Sequence, residues 1–175
     1  MTYDMHCNGC SYYEQQHLTK DKMTTLVSPP VELENNHSDI LLVFQSPGKE
    51  EWLVGKAIQP IKKQGGSAGR RIELSWERCK AKRTDFNIVN TVQCYPGNQG
   101  GRDIDPNKKA IHCCSNRLKD ILQTDCYKKV IVFGHIAFKV ILKLLVGEIS
   151  TVVVVARHPN GGISNDKLDA LWIER

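Results

Sequence analysis

The sequence predicts an α/β protein, a three-layer α/β/α sandwich with a central four-stranded parallel sheet. Four short runs consist almost entirely of apolar or β-branched residues, which is typical of strands buried on both faces of a parallel sheet. Helical patterns lie between these runs, and such alternation favours a sheet covered by helices on both sides. The chain has 175 residues, of which 41% are hydrophobic, enough for one domain with a packed core.

The predicted strands and helices alternate along the chain. The strands are Ile40–Gln45, Phe86–Val92, Lys129–Gly134 and Thr151–His158. The helices are Ser67–Lys82, Pro106–Leu122, His135–Leu145 and Asp166–Glu174. Asp105-Pro106 reads as a capping residue followed by a first-turn proline, which predicts the start of the second helix. His135–Leu145 is apolar on almost all sides, so we expect this helix to be well buried.

The first 35 residues differ in composition from the rest. They are polar, carry SPP at positions 28–30, and predict an irregular cap with one short helix near Tyr12–Lys20. Such a cap needs an anchor to the sheet. We expect residues 1–175 to form a single domain, with residues 1–35 as the cap.

Composition limits the function classes. The net charge of +5 is moderately basic and favours an acidic partner such as nucleic acid without requiring one. We expect no signal peptide and no membrane span, and therefore a cytoplasmic protein, with a monomer as the default. Seven cysteines in a reducing compartment argue against a disulfide framework and favour metal ligation by some of them.

Each predicted strand runs into a polar or Gly/Pro-rich segment. In open parallel sheets, functional groups lie where the strands end. Asn90 and His158 are the polar residues that this pattern most naturally directs towards a shared cleft. No strand is followed by G-x-G-x-x-G or a P-loop, which weakens a nucleotide-binding interpretation and predicts no nucleotide cofactor.

An ordered set of short motifs spans nearly the whole chain. It starts with Cys7-x-x-Cys10 and continues with FQSPGKEE from Phe44, GKAI from Gly55 and GSAGRRI from Gly66. VNTVQCYP (positions 89–96) and HPN (158–160) complete the set. In order and in type these motifs resemble those of the uracil-DNA glycosylase superfamily, closest to its iron–sulfur branch, family 4. Each motif alone is weak, whereas the ordered set is fairly specific.

The resemblance implies a [4Fe–4S] cluster held by Cys7, Cys10, Cys94 and Cys114. Cys113 is the alternative fourth ligand, because the family's spacing after Asp-Pro falls on the second cysteine of an adjacent pair. Four thiolates from separate segments can hold such a cluster, and here it would tether the cap to the sheet. Hydrolysis of a glycosidic bond needs no electron transfer, so the role of the cluster would be structural. The alternatives are a zinc site with His6 or His112, or reduced cysteines without metal.

The resemblance also implies the catalytic roles. Asn90 matches the asparagine that hydrogen-bonds the pyrimidine edge, since its amide both donates and accepts. His158 matches the histidine that stabilises charge on the leaving base. Gln45 occupies the position of the family's glutamate; glutamine cannot act as a base but can orient water through its carbonyl. Glu50 and Glu51 follow in the same loop, where solvated surface charge is the expected state.

The remaining candidate residues are expected to contact the substrate. They are Ser46, Pro47, Gly48, Ile58, Ser67, Arg70 and Asn160. Pro47-Gly48 suits close passage of the backbone beside the extruded nucleotide. Arg70 and Arg71 are candidate phosphate contacts, as is Lys62-Lys63, and a solvated basic face is the alternative.

Two departures from the family pattern bear on the substrate. Ile58 falls where the family has a stacking phenylalanine, although Trp52 is a possible substitute, and extra residues at 59–65 enlarge the neighbouring loop. We therefore expect a monofunctional DNA glycosylase, a hydrolase that excises either uracil in DNA repair or a bulky modified pyrimidine from phage DNA in antiviral defence. The competing hypothesis is an iron–sulfur DNA-binding module on the same fold without turnover.

Overall fold

A computed structural model describes residues 7, 9–12, 30–61, 66–145 and 150–173. Its strands are β1 (Ile40–Phe44), β2 (Asn87–Asn90), β3 (Asn98–Gln99), β4 (Arg102–Asp103), β5 (Lys129–Phe133) and β6 (Val152–Ala156). Four of them form one parallel sheet in the order β2-β1-β5-β6, while β3 and β4 form a separate antiparallel hairpin. The predicted four-stranded parallel sheet is confirmed, and the hairpin is an addition that the sequence patterns did not indicate.

The helices are α1 (Lys49–Val54), α2 (Ala68–Arg78), α3 (Lys108–Thr124), α4 (His135–Leu144) and α5 (Asn165–Ile173). Helix α1 lies in a segment that we interpreted as a loop. Helix α2 is capped by Ser67, whose side chain accepts from the Arg70 backbone N–H. The expected cap at Asp105-Pro106 is wrong, because Asn107 caps α3 by accepting from the Ala110 N–H. The short Asn side chain reaches that donor one turn into the helix.

The sheet separates two hydrophobic cores, as a three-layer sandwich requires. Alternate strand residues such as Phe44 and Phe133 face α2 and α5, where Trp76 and Trp172 are buried. The intervening strand residues, represented by Val132, face α3 and α4. Successive side chains of a strand point to opposite faces, so this alternation follows from the strand geometry.

Two burial expectations were wrong. Strand β6 is not buried on both faces, since Val152, Val153 and Val155 are exposed at the edge of the sheet. Helix α4 is buried along one face only, and Leu142 is 58% exposed. Apolar composition alone does not distinguish an edge strand from a central one, because burial depends on the order of strands in the sheet.

Residues 9–12 dock against the start of α3. The Asn107 N–H donates to the Tyr12 hydroxyl over 2.8 Å, and the Asn107 side chain donates to Ser11 over 2.9 Å. Apart from Tyr12, the predicted helix near Tyr12–Lys20 lies outside the described residues. Within those residues, no helix combines the length and apolarity needed to cross a bilayer.

Candidate active site

A cleft of about 520 Å³ opens at the carboxyl edge of the parallel sheet. The predicted site residues that line it are Ser46, Gly48, Ile58, His158 and Asn160. These residues come from the segments after β1 and β6 and from the turn before α2. The structure therefore brings together residues separated by more than half of the chain, at the edge where ligands bind in sheets of this kind.

Asn90 ends β2 and lies opposite Phe44, the last residue of β1. Its side chain is buried, yet neither the amide nitrogen nor the amide oxygen has a hydrogen-bond partner among the described residues. A buried amide without partners costs about 1–3 kcal/mol. Residue 90 has the strand parity of Ile88, which packs in the core under α2, so the amide faces the α2 side of the sheet.

His158 lies two residues beyond Ala156, the end of β6, and lines the cleft. Its Nδ1 accepts from the Asn160 backbone N–H over 3.3 Å, and the Gly161 N–H donates to its carbonyl over 2.6 Å. Burial lowers the pKa of His158, so the ring is neutral at pH 7. A neutral ring whose Nδ1 accepts carries its proton on Nε2, which leaves Nε2–H as a donor.

The two residues lie at the same edge of the sheet but on its two outer strands. Three interstrand spacings separate β2 from β6, which amounts to about 14 Å between backbones. The carboxyl ends of β1 and β5 lie between them. Asn90 is not among the residues that line the cleft, and its side chain is more buried than that of His158.

Gln45 is held by a neighbouring acid. Its Nε2 donates to Asp105 Oδ1 over 2.8 Å. With the nitrogen engaged, the amide oxygen is the end that remains to accept a hydrogen bond. Gln45 adjoins the cleft residue Ser46, and Asp105 brings a carboxylate to this position that the strand patterns alone did not indicate.

Glu51 is buried, which corrects the expected solvated state. Its carboxylate accepts from the Gly48 N–H over 2.8 Å and from the Gln59 N–H over 3.1 Å. Burial raises its pKa, opposed by these two hydrogen bonds. Glu51 thus joins the Pro47-Gly48 turn to the segment before α2 and holds one wall of the cleft.

Ile58 adopts a left-handed backbone conformation with φ of 50°, which is strained for a β-branched residue. Arg83 holds this segment by donating to the carbonyls of Ala57 and Ile58 over 2.6 and 2.9 Å. Gly69 packs directly against it: a Cβ there would lie 2.0 Å from the Gln59 carbonyl oxygen. The second glycine of the GSAG motif, Gly69, is therefore required because α2 approaches this turn closely.

The other predicted contacts lie outside the cleft lining. Pro47 is buried in the turn, Ser67 caps α2, and Arg70 pairs with Glu73 on its own helix. Arg71 donates to the segment after His158 and is engaged there. Lys62-Lys63 lies outside the described residues.

Tyr95 is a cleft residue that our sequence reasoning missed. It is the only Phe, Tyr or Trp among the described residues that line the cleft. Its ring centroid lies 6.2 Å from that of Trp52, which is not among the residues that line the cleft. Burial raises the pKa of Tyr95, and the Asp103 carboxylate beside its hydroxyl raises it further. An aromatic residue directly after Cys94, close to the end of β2, was the available signal.

Three of the four predicted cysteine ligands share one small buried cluster beside the sheet, and the fourth, Cys7, lies near it. Cys10, Cys94 and Cys114 pack together with Val92 and Ala110, and Cys113 lies at the edge of the cluster. Burial, followed by the proximity of Cys114 and Cys10, raises the pKa of Cys7 to about 11. Arg117 approaches the Cys7 sulfur at 3.7 Å. No two of the seven described cysteines form a disulfide.

Buried cysteine thiols are the type of ligand that an iron–sulfur cluster uses. Buried thiols with raised pKa values are poor thiolates unless a bound metal supplies positive charge. No three His, Cys, Asp or Glu of the described residues are grouped as ligands of a single ion. A four-iron cluster distributes its thiolates over separate irons rather than one centre. For the zinc alternative, His112 is exposed and His6 lies outside the described residues.

Comparison with known families gives one match. A model of the uracil DNA glycosylase superfamily matches residues 31–173. A comparison with curated proteins finds no match. The matched region contains all six strands and all five helices described above, together with the cleft and its lining residues. The chain therefore belongs to the uracil DNA glycosylase superfamily.

Proposed function

We propose that the protein is a monofunctional DNA glycosylase. It extrudes a pyrimidine nucleotide and hydrolyses its N-glycosidic bond, leaving an abasic site. Members of this superfamily are generally DNA glycosylases. The observation that carries the proposal is the buried, unpartnered amide of Asn90 at the same sheet edge as the neutral His158.

Asn90 recognises the base in this proposal. An amide offers one acceptor and two donors, which match a pyrimidine edge that presents N3–H and O4. The amide has no partner to release among the described residues, so binding a base satisfies a polar group that is otherwise left unpaired. Extrusion of the nucleotide is what makes this edge accessible.

His158 stabilises the leaving group. Breaking the glycosidic bond leaves negative charge on the base and positive charge on the sugar. A neutral ring donates its Nε2–H to the developing charge on the base, in the manner of an oxyanion hole. The lowered pKa keeps the ring neutral across the physiological range.

Gln45 orients the attacking water. Its nitrogen is held by Asp105, which leaves the carbonyl oxygen as an acceptor for a water proton. The sugar cation formed by bond cleavage is a strong electrophile, so an oriented water suffices without a strong base. The proton that this water loses on bonding to the sugar neutralises the departing base anion. Among the described residues that line the cleft, Lys49 is the only lysine, and it is exposed. We do not propose it as an amine nucleophile, so we expect no strand cleavage by the enzyme.

The cysteine cluster has a structural role in the proposal. Cys7, Cys10, Cys94 and Cys114 would hold a [4Fe–4S] cluster, as expected of a member of the iron–sulfur branch of the superfamily. The group supplies a cross-link between the N-terminal segment, the loop after β2 and α3. Cys94 and Tyr95 are adjacent, so the cross-link also steadies one wall of the cleft.

The second candidate substrate is a bulky modified pyrimidine, which the cleft is large enough to admit. A cleft of about 520 Å³ lies within the range of pockets that hold whole small molecules. Ile58 leaves the wall at this position without a flat ring. A base with a substituent at C5 would use this room, and removing such bases from phage DNA would make the enzyme a defence protein.

The test is excision from synthetic DNA. Oligonucleotides carrying uracil, 5-substituted uracils or 5-substituted cytosines, single- or double-stranded, are incubated with the protein and then with alkali, which cleaves abasic sites. We expect cleavage on at least one of these substrates, lost in Asn90→Ala and His158→Ala. Binding without cleavage on every substrate would instead support the non-catalytic DNA-binding module.

A further inference from the structure

We propose that Arg71 is the positioning residue for His158, fixing the segment after β6 so that the imidazole is held against the cleft. The inference rests on the proposed function. It concerns a residue that the motifs suggested only as a phosphate contact. Its basis is a set of hydrogen bonds from one guanidinium to both ends of the loop that carries His158.

The guanidinium of Arg71 contacts three acceptors. Nη1 donates to the Pro159 carbonyl, directly after His158. Nη2 donates to the Ile163 carbonyl over 2.8 Å and to Asn165 Oδ1 over 3.0 Å. One planar cation therefore joins the beginning of the 158–164 segment to its end.

Pro159 and Ile163 of this segment are buried, but few hydrogen bonds fix the backbone between them. The segment has no helix or strand, and it includes Gly161 and Gly162, the latter with φ of 82°. Its described internal hydrogen bonds are those from the Asn160 and Gly161 N–H groups to His158. These bonds set the ring relative to its own loop. The Arg71 contacts set the loop relative to α2.

Helix α2 is a rigid support for this purpose. Its start is capped by Ser67, and Gly69 packs against the Gln59 carbonyl beside the cleft residue Ile58. Ala68 of the same turn lines the cleft. Arg71 thus links the segment that carries His158 to a helix whose first turn also lines the cleft.

Lysine cannot reproduce this arrangement. Its ammonium is a point charge on a flexible stem, whereas the planar fork of arginine directs several N–H groups at once. Arg71→Lys therefore keeps the positive charge and removes the geometry. The matched control is Arg78→Lys on the same helix, since Arg78 also binds α5, through Asp169 at 2.7 and 2.8 Å, but does not contact the His158 segment.

The experiment measures three quantities for wild type, Arg71→Lys, Arg71→Ala and Arg78→Lys. They are the single-turnover excision rate, the dissociation constant for DNA containing a 2′-fluoro analogue, and the His158 pKa by NMR. We expect Arg71→Lys to lower the excision rate by about 10- to 100-fold, because small misplacements of reacting groups have effects of that size. DNA affinity stays within about threefold, and the His158 pKa rises towards 6.5 as water enters.

Arg78→Lys should leave both the rate and the His158 pKa at wild-type values. Arg71→Lys with an unchanged rate and an unchanged His158 pKa would overturn the proposal. Weaker DNA binding with an unchanged rate would also overturn it and would make Arg71 a phosphate contact. If the wild type excises no base, the proposed function fails, and the NMR titration still decides whether Arg71 positions His158. Arg71→Lys keeps the test valid if Arg71→Ala does not fold.

Discussion

Two asparagines on β2, three residues apart, have opposite environments. Asn87 accepts from the Asn36 and Ser38 N–H groups over 2.7 and 3.2 Å and donates to Tyr127 over 3.1 Å. Asn90 is equally buried but has no described partner. Asn87 therefore has the environment of a structural residue, whereas the unpaired amide of Asn90 is what the proposed base-binding role requires.

The comparison of these two asparagines gives the first prediction. Asn90→Ala should lower excision by at least about 100-fold, as loss of a transition-state contact does. The free energy of unfolding should change by less than about 1 kcal/mol, because relief of the unpaired amide and the cavity left by its removal oppose each other. Asn87→Ala should leave excision unchanged and lower the free energy of unfolding by about 1–3 kcal/mol, because buried donors lose their acceptor. Excision assays and urea unfolding check both, and the reverse pattern would contradict the assignment.

The neutral state of His158 gives a pH prediction. Because burial lowers its pKa, the unfolded chain binds the proton more readily than the folded protein. The resulting stability is present above the unfolded pKa of about 6.5 and is lost as pH falls through the lower folded value. Urea unfolding at several pH values should therefore show a steeper acid loss in wild type than in His158→Gln. An NMR titration that places the His158 pKa at or above 6.5 would contradict this.

Tyr95 gives a prediction about how the base is held. Stacking of a base on an aromatic side chain contributes about 1–3 kcal/mol. Tyr95→Ala should therefore reduce excision by about 10- to 100-fold, whereas Tyr95→Phe keeps the ring and most of the rate. The control is Tyr127→Phe, at the opposite edge of the sheet beside Asn87. Equal rates for wild type and Tyr95→Ala would exclude stacking on this ring.

At the scale of elements, the cleft depends on how closely α2 approaches the turn at Ile58 and Gln59. Gly69 permits this approach, and Arg83 and Glu51 hold the turn by hydrogen bonds to its backbone. The left-handed conformation of Ile58 is maintained by these contacts. A wall of the cleft is therefore built from strained backbone supported by three separate side-chain or close-packing contacts.

Gly69→Ala should accordingly destabilise the protein. The added methyl group meets backbone rather than a flexible side chain, and overpacking of this kind costs about 1–3 kcal/mol. The control is Glu77→Ala on the exposed part of α2, which should stay within about 0.5 kcal/mol of wild type. Thermal and urea unfolding measure both. A Gly69→Ala variant as stable as wild type would show that α2 can move away from the turn.

Elements also show where sequence patterns succeed and fail. Central strands and the α2 face were predictable because periodic burial leaves a direct pattern, as at Ile72 and Trp76. The exposure of β6 was not predictable, because Val152–Ala156 has the composition of a central strand and only the strand order makes it an edge. The candidate site was partly predictable. Motif order indicated Asn90 and His158, but Tyr95 and Arg71 acquire their contacts from tertiary packing.

At the scale of the whole molecule, the cysteine cluster brings together segments that are far apart in the chain. Cys94 follows β2, Cys114 lies on α3, and Cys7 and Cys10 belong to the N-terminal segment. Without a bound group, burial raises the pKa of both Cys7 and Cys114 to about 11, and Arg117 approaches the Cys7 sulfur at 3.7 Å. A [4Fe–4S] group bound by these cysteines would stabilise the fold by joining the three segments.

The cysteine prediction separates ligands from bystanders. Cys94→Ser and Cys114→Ser should lose iron and sulfide and lower the melting temperature, because a ligand to the proposed cluster is missing. Cys126→Ser, at an exposed position, should retain both. Cys113→Ser should also retain iron, which identifies Cys114 as the fourth ligand. Iron content that depends on Cys113 instead would reverse that assignment, and iron-free wild type from anaerobic purification would exclude the cluster.

The most direct test of the account is a crystal structure of the protein with DNA that carries a 2′-fluoro pyrimidine nucleotide, which resists hydrolysis. We predict a single extruded base whose edge is hydrogen-bonded by the Asn90 amide and whose O2 accepts from His158 Nε2. A base that remains stacked in the duplex, or one that is extruded without contacting either residue, would contradict the account.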